Sequence, residues 1–361
     1  MKIVWVMPSK RICGGIRVIF EYANRLSEQG HQVICVCPFE QFPYPQNWAK
    51  RAELWLREKI YYPLKLRKSR PHRSKADWFP LKAELIEVPD LSAKNIPDAD
   101  VVIATAWETA EWVNTYPGRC GTKFYFIQGY EIWAAPKERV DLTYKLPLKK
   151  ITIASWLSDK MAELGEQVYA KIINGINLDL FYNNDKKYHQ PRRIGLLYHG
   201  AVIKGVADGL KAFSLARQRF PDIQLVMFGV KRDEHRVPIP AFAEFHEKPP
   251  QNKLRDIYSS LDIFLSPSWS EGCQLPPMEA MACKAAVVAT NVGGIPDYAI
   301  AGRTALVSEP HAPEAMAKNI ISLLENEEKL KDVSEAGYEY IKQFNWDNAA
   351  RRLEEILTTQ R

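Results

Sequence analysis

The sequence predicts an α/β protein built from two successive parallel-sheet domains. Short apolar runs alternate with helical patterns along the chain. A glycine-rich turn joins the first run to the first helix. A second series of the same kind starts after a polar, proline-containing stretch. Such alternation gives βαβ units and a parallel sheet covered on both faces. At 361 residues the chain is long enough for two such domains.

The first series opens with Lys2–Met7, a short β-branched and aromatic run that reads as a buried strand. S-K-R-I-C-G-G follows, then a helix. Ile16, Ile19, Phe20, Ala23 and Leu26 fall on one helical face, and Arg17, Glu21, Arg25 and Glu28 on the other, with i,i+4 charge pairing. Gly30 is placed to end the helix, and His31–Cys37 reads as the next strand. Val101–Ala104, Lys123–Ile127 and Ile151–Ile153 are further strands. Ser155 is the expected N-cap of a helix over Trp156–Leu164. Asn174-Gly175 marks a turn, and Asn183-Asn184-Asp185 with Pro191 a linker.

The second series runs strand Ile194–Tyr198, helix Val206–Arg219, strand Ile223–Phe228. Strands Ala241–Phe245, Ile263–Leu265 and Ala286–Ala289 follow, with a helix over Lys253–Ser260. Helices near Pro313–Leu324, Glu328–Gln343 and Trp346–Thr358 close the chain. The expected domains are 1–180 and 181–343, with a final helix over 344–361 returning to the first. In such sheets a ligand sits at the carboxyl ends of the strands, here in the cleft between the domains.

Composition narrows the class. The chain is 46% hydrophobic and 25% charged, as globular proteins are, and no run reaches the roughly 20 apolar residues that span a bilayer. Six cysteines form no C-x-x-C pair and no zinc spacing, which points to a reducing compartment. The first residues lack the apolar length and cleavage site of a signal peptide. A cytoplasmic protein is expected, with peripheral attachment to the inner face of the membrane as an option. The excess charge of +6 lies wholly in residues 1–180, which hold 26 Lys and Arg against 20 Asp and Glu. Much of it falls in 47–75, where ten basic residues stand against two Glu and are interleaved with Trp, Leu and Tyr. That pattern suits an anionic lipid surface or a solvated insertion; no nucleic-acid module accompanies it.

The stretch S-W-S-E-G-C-Q-L-P-P-M-E-A-M-A, Ser268–Ala282, carries the chemistry. Pro277 suits a first helical turn, so a helix is expected to start near Pro276–Pro277. Its positive end points back over Gly272–Leu275, the kind of end that attracts phosphate. Glu271 precedes this end and Glu279 lies in the first turn, so both can flank a phosphate and accept hydrogen bonds from vicinal hydroxyls.

The stretch resembles the E-x7-E motif of retaining GT-B glycosyltransferases, specifically glycosyltransferase family 4. The resemblance continues through Gly293-Gly294 to Tyr298, and also takes in Gly14-Gly15, I-I-N-G-I-N at Ile172–Asn177 and Lys204-Gly205. It implies a GT-B fold, two Rossmann-like domains facing a cleft. It implies that Glu271 contacts hydroxyls of a donor sugar and that Glu279 holds the ribose. Gly272, Cys273, Gln274 and Leu275 contact sugar and diphosphate, Lys204 neutralises the leaving diphosphate, and Gly14 and Gly15 approach it from the other domain. The implied donor is a nucleotide diphosphate sugar, UDP-glucose-like first and GDP-mannose second. The reaction is a retaining hexosyl transfer with no metal or other cofactor. With the basic segment 47–75, the expected acceptor is a saccharide or lipid-linked saccharide, and the expected setting cell-surface or extracellular polysaccharide synthesis.

Two departures stand out. The family pattern G-R-x4-K is here H-G-A-V-I-K, His199–Lys204, with Ala201 in place of the arginine; Arg17, His199 and Gly200 are the candidates near the diphosphate. Cys273-Gln274 replaces the commoner Phe-Gly. A nucleotide-sugar-binding family member without activity, or an epimerase of the same fold, are the alternative readings. An NAD enzyme is disfavoured, because Cys13–Arg17 lacks G-x-G-x-x-G spacing. Asp98-Ala99-Asp100 reads as a turn before a strand rather than a metal motif. Thr105 and Trp107, and Gln128 and Tyr130, lie in loops after strands and are the acceptor-side candidates.

Overall fold

The computed structural model describes residues 1–39, 70–230 and 237–359. Most of the basic 47–75 segment lies outside the described residues. The chain forms two compact units, Met1–Ile172 with Ala349–Arg361, and Ile173–Asn348.

Among the described residues the first unit is built on eight strands: β1 (Lys2–Val6), β2 (Gln32–Pro38), β3 (His72–Ser74), β4 (Glu84–Val88), β5 (Val101–Ala104), β6 (Thr122–Ile127), β7 (Lys149–Thr152) and β8 (Ala170–Lys171). Their order is β3-β4-β2-β1-β5-β6-β7-β8, and only β3 on β4 is antiparallel. Ile3 to Val6 are wholly buried, which is why β1 is apolar at every position. The register Val6↔Val36 and Val6↔Ala104 brings the carboxyl ends of β2, β1 and β5 together. Strand order reverses between β1 and β5, the place where open α/β sheets leave a crevice.

Helix α1 (Gly14–Glu28) buries the expected face, and also Glu21 and Asn24. The expected solvent face is therefore half covered. Residues 78–82 pack along the helix: the rings of Trp78 and Phe79 lie tilted against Phe20, and Asn24 bonds the Pro80 carbonyl at 2.9 Å and the Lys82 amide at 2.7 Å. Glu21 takes Arg25 at 2.6 Å. Among the described residues, α2 (Trp107–Asn114), α3 (Lys137–Tyr144) and α4 (Ser155–Glu163) follow. Ser155 is the first residue of α4, not its cap; Ala154 precedes it in extended geometry, and the Ser155 hydroxyl accepts from Lys171 at 2.6 Å. Strand β4 and helix α2 are absent from the pattern-based reading. The two acids of E-L-I-E-V, three residues apart, hid β4; Glu84 and Glu87 pair with Arg73 and Lys10.

The second unit carries a six-stranded, all-parallel sheet in the order β11-β10-β9-β12-β13-β14. Its strands are β9 (Arg193–Tyr198), β10 (Gln224–Gly229), β11 (Glu244–Glu247), β12 (Ile263–Ser266), β13 (Ala286–Thr290) and β14 (Leu306–Ser308). Its helices are α5 (Val206–Arg219), α6 (Gln251–Ser259), α7 (Leu275–Ala282), α8 (Ile295–Tyr298), α9 (Pro313–Glu325) and α10 (Glu327–Ile341). The strand expected at Ala241–Phe245 is displaced to β11, because pairing begins at Val226↔Glu244. Gly175 of the Asn174-Gly175 turn lets the chain pass Trp346 closely: a Cβ there would stand 2.3 Å from the Trp346 nitrogen. The order reverses again between β9 and β12. The loops after those two strands are H-G-A-V-I-K-G and P-S-W-S-E-G-C-Q. The last helix, α11 (Trp346–Thr358), starts in the second unit and ends in the first, where Glu354 bonds His31 at 2.8 Å. Among the described residues no helix is long and apolar enough to cross a membrane.

Candidate functional site

In the second unit the loops after β9 and β12 are joined to each other. Lys204 ends a short 3-10 turn, Val202–Lys204, and Gly205 follows in left-handed geometry at φ +61°. A Cβ on Gly205 would lie 1.9 Å from the Pro267 carbonyl oxygen, so only glycine lets the loops approach this closely. The Trp269 amide donates to the Ile203 carbonyl at 2.7 Å, and its indole N–H donates to Asp208 in the first turn of α5 at 2.8 Å. The indole also lies tilted against the His311 ring, with 4.1 Å between ring centres.

This clamp sets Lys204 against Glu271. The Lys204 ammonium donates to Glu271 Oε1 at 2.7 Å, and the Ser268 hydroxyl donates to the same oxygen at 2.8 Å. Behind them the Gly293-Gly294 turn packs on the loop: Gly293 has φ +61°, and its Cβ position is 2.8 Å from Glu271 Cβ. Gly294 stands against Cys273 in the same way, 3.1 Å from Sγ. Burial pushes the Cys273 thiol up to about 12, which removes it as a nucleophile.

The helix start differs slightly from expectation. α7 begins at Leu275, and Pro276 and Pro277 lie inside its first turn, where they supply no N–H. Donors at this end therefore come from Leu275 and the preceding loop. The loop is fixed at several points. Ser266 donates to Gln274 Oε1 at 2.7 Å, Tyr298 donates to the Gln274 carbonyl at 2.8 Å, and Thr290 donates to the Ser268 carbonyl. Glu279 is only 3% exposed, and its Oε2 accepts from the Tyr258 hydroxyl at 2.8 Å. His199 is exposed at the start of its loop, its Nδ1 taking the Ala201 amide at 3.0 Å, and Gly200 lies between them. Ala201 brings no charge to this turn.

The first unit gathers a separate set at the ends of β1, β5 and β6. Gly14 and Gly15 open α1. A Cβ on Gly15 would stand 3.5 Å from the Gln128 amide nitrogen, so the glycine turn and Gln128 are neighbours. Arg17 is half-buried one turn into α1, with its N–H on the Cys13 carbonyl at 3.0 Å. Thr105 is buried and donates to the Val6 carbonyl at 2.9 Å, tying β5 to β1, while Trp107 is buried under Arg139. T-A-W-E-T-A is thus the start of α2, where Thr109 takes the amides of Thr105 and Ala106, both at 2.9 Å. Tyr130 donates to Asp141 at 2.7 Å.

Glu131 and Glu108 were not singled out by sequence, since nothing in their spacing shows that they meet. Glu131 takes the Trp107 amide at the start of α2 at 2.8 Å, and its own amide donates to the Tyr144 hydroxyl at 3.2 Å. Burial first, then the charge of Glu108, pushes the Glu131 carboxyl up to about 8; the Trp107 N–H opposes this. Asp98 pairs with Arg119 at 2.6 Å and Asp100 takes the Lys2 amide at 2.7 Å, the arrangement of a turn.

Residues 191–340 match the family described as Glycosyl transferases group 1. Alpha-maltose-1-phosphate synthase of Mycolicibacterium smegmatis is 32% identical over 42% of this chain and 44% of its own length. D-inositol 3-phosphate glycosyltransferase of Corynebacterium diphtheriae is 28% identical over 52% of this chain and 49% of its own. The matches to these curated relatives span about half of their length. Among solved structures, Anabaena HepE in complex with UDP superposes with a TM-score of 0.76 at 14% identity, covering 99% of this chain and 100% of that one. Sucrose-phosphate synthase of Thermosynechococcus elongatus gives 0.72 at 15% identity, with 99% and 98% covered. The fold is therefore GT-B, and the residues that match the glycosyl transferases group 1 family, 191–340, contain both joined loops.

Proposed function

We propose that the chain is a retaining glycosyltransferase of family 4 that moves a hexose from a nucleotide diphosphate sugar to a saccharide or lipid-linked saccharide. The observation that carries this is the 2.7 Å contact between Lys204 and Glu271, made across two strand-end loops just ahead of the helix that bears Glu279. A cation beside a loop of backbone donors suits a diphosphate. Carboxylates on either side of it suit hydroxyls of a sugar and a ribose.

In this reading Lys204 takes up charge as the diphosphate leaves, Glu271 accepts from the hexose, and Glu279, steadied by Tyr258, accepts from the ribose. Gly272, Cys273, Gln274 and Leu275 form the donor loop. Gly14, Gly15, Arg17, His199 and Gly200 are proposed as further anion contacts, and Gln128 and Tyr130 as acceptor contacts. The transfer is a same-face displacement. The bond from the anomeric carbon to the phosphate oxygen breaks, the acceptor oxygen bonds the same face, and the leaving phosphate takes the acceptor proton. Catalysis then rests on positioning and electrostatics, without a metal. UDP is the first-choice base: structures of Anabaena HepE hold UDP, UDP with glucose, or UDP-glucose. Polysaccharide synthesis at the cytoplasmic face of a membrane, with segment 47–75 on anionic lipid, completes the proposal. Ala201 favours one second reading, a nucleotide-sugar-binding protein without turnover.

Calorimetric titration with UDP, GDP and ADP tests the donor site. One of them is expected to bind, and Glu279→Ala to abolish that binding; no binding by any of the three refutes the reading. Once the donor is known, Lys204→Ala and Glu271→Ala are each expected to lower turnover by at least about 100-fold while remaining folded. Near-normal turnover in both refutes the assignment. Nucleotide binding without turnover in the unaltered chain selects the second reading.

A further inference from the structure

Lys204 and Glu271 neutralise each other before any ligand arrives. Their side chains are 29% and 17% exposed, so water screens the pair less than it screens a surface ion pair. Backbone geometry holds both in place, through Gly205 against Pro267 and Gly293 against Glu271. Ala201 adds no charge to the turn, which leaves Lys204 as its main contact for a diphosphate.

A bare nucleoside diphosphate brings negative charge and no hexose. It draws the ammonium away and leaves Glu271, among the described residues, with the Ser268 hydroxyl alone. A mostly buried carboxylate that loses a charged partner is destabilised. A nucleotide sugar brings the diphosphate and the hexose hydroxyls together, so Glu271 regains donors as Lys204 turns to phosphate. Resting on the donor-site reading above, we propose that the Lys204–Glu271 pair is a specificity determinant that favours the nucleotide sugar over its own nucleoside diphosphate product. Discrimination arises from the uncompensated charge left by the wrong ligand. The same pair weakens product binding after transfer.

The test compares the unaltered chain with Glu271→Gln, and with Glu271→Ala in case the glutamine amide makes a new bond. Each is titrated with UDP, GDP and ADP and with the matching nucleotide sugars, without acceptor, and circular dichroism checks the fold. Freed from Glu271, Lys204 is expected to bind the nucleoside diphosphate about tenfold more tightly. The preference for the nucleotide sugar over the diphosphate should fall by at least that factor. Unchanged or weaker diphosphate binding in the folded variants overturns the inference while the donor-site reading stands. Absence of nucleotide binding in the unaltered chain overturns both.

Discussion

Gly205→Ala tests whether close approach of the two loops builds the proposed donor site. Two costs are expected. The residue has φ +61°, a left-handed conformation that costs a residue with a Cβ about 1–2 kcal/mol. The new Cβ would also stand 1.9 Å from the Pro267 oxygen, whereas real Cβ contacts essentially never fall under 3.0 Å, so the backbone of one loop must retreat by 3.0 − 1.9 = 1.1 Å. A displacement of that size breaks the bond from Trp269 to Ile203 and adds about 1–3 kcal/mol. The total is about 2–5 kcal/mol. Gly302→Ala is the control: it has φ +78° and nothing within 4 Å of its Cβ position, so only the conformational cost applies. Urea unfolding of both variants, followed by a probe in the second unit, measures the difference. Gly205→Ala should be the less stable by at least about 1 kcal/mol and should bind nucleotide more weakly, because Lys204 is its neighbour. Equal stability of the two variants would refute the steric argument.

The Glu131 carboxyl, pushed up to about 8, makes a pH prediction. An unfolded chain ionises it near 4.5, so between 4.5 and about 8 the folded state holds more of the proton. Stability contributed by this group is therefore present below the unfolded value and lost as pH rises through that window, by up to ~1.4 kcal/mol per pH unit. Glu131→Gln keeps an acceptor for the Trp107 amide and should flatten the slope; an unchanged profile in thermal melts from pH 5 to 8 would count against burial as the cause. Tyr258→Phe removes the hydroxyl from buried Glu279 and should cost about 1.5–3 kcal/mol in urea unfolding, with weaker nucleotide binding. Unaltered binding would detach Glu279 from the ribose. Gly293→Ala should push Glu271 aside and lower turnover far more than it lowers stability; the reverse pattern would deny the turn its positioning role.

What could be read from sequence was what local chemistry controls. Apolar runs located β1, β5, β9, β12 and β13, because strands buried on both faces have no polar position to blur them. The motif Ser268–Ala282 showed the order of an acid, a loop and a helix start, since glycine and proline mark backbone geometry directly. Strand β4 escaped because its acids face partners far away in sequence. Helix α2 escaped because its cap, Thr109, lies inside the helix, and its first amide is taken by Glu131.

Sequence by itself determined the alternation of strand and helix, the parallel sheets and the residue types of the proposed donor loop. Tertiary structure alone decided which of those residues meet. The Lys204 contact with Glu271 spans 67 positions, and Glu131 is raised by burial and then by the charge of Glu108, which arrives from another strand end. A backbone conformation follows from the few residues around it, whereas a charge responds to whatever the fold brings within a few ångströms, and that distance is written nowhere in the local sequence.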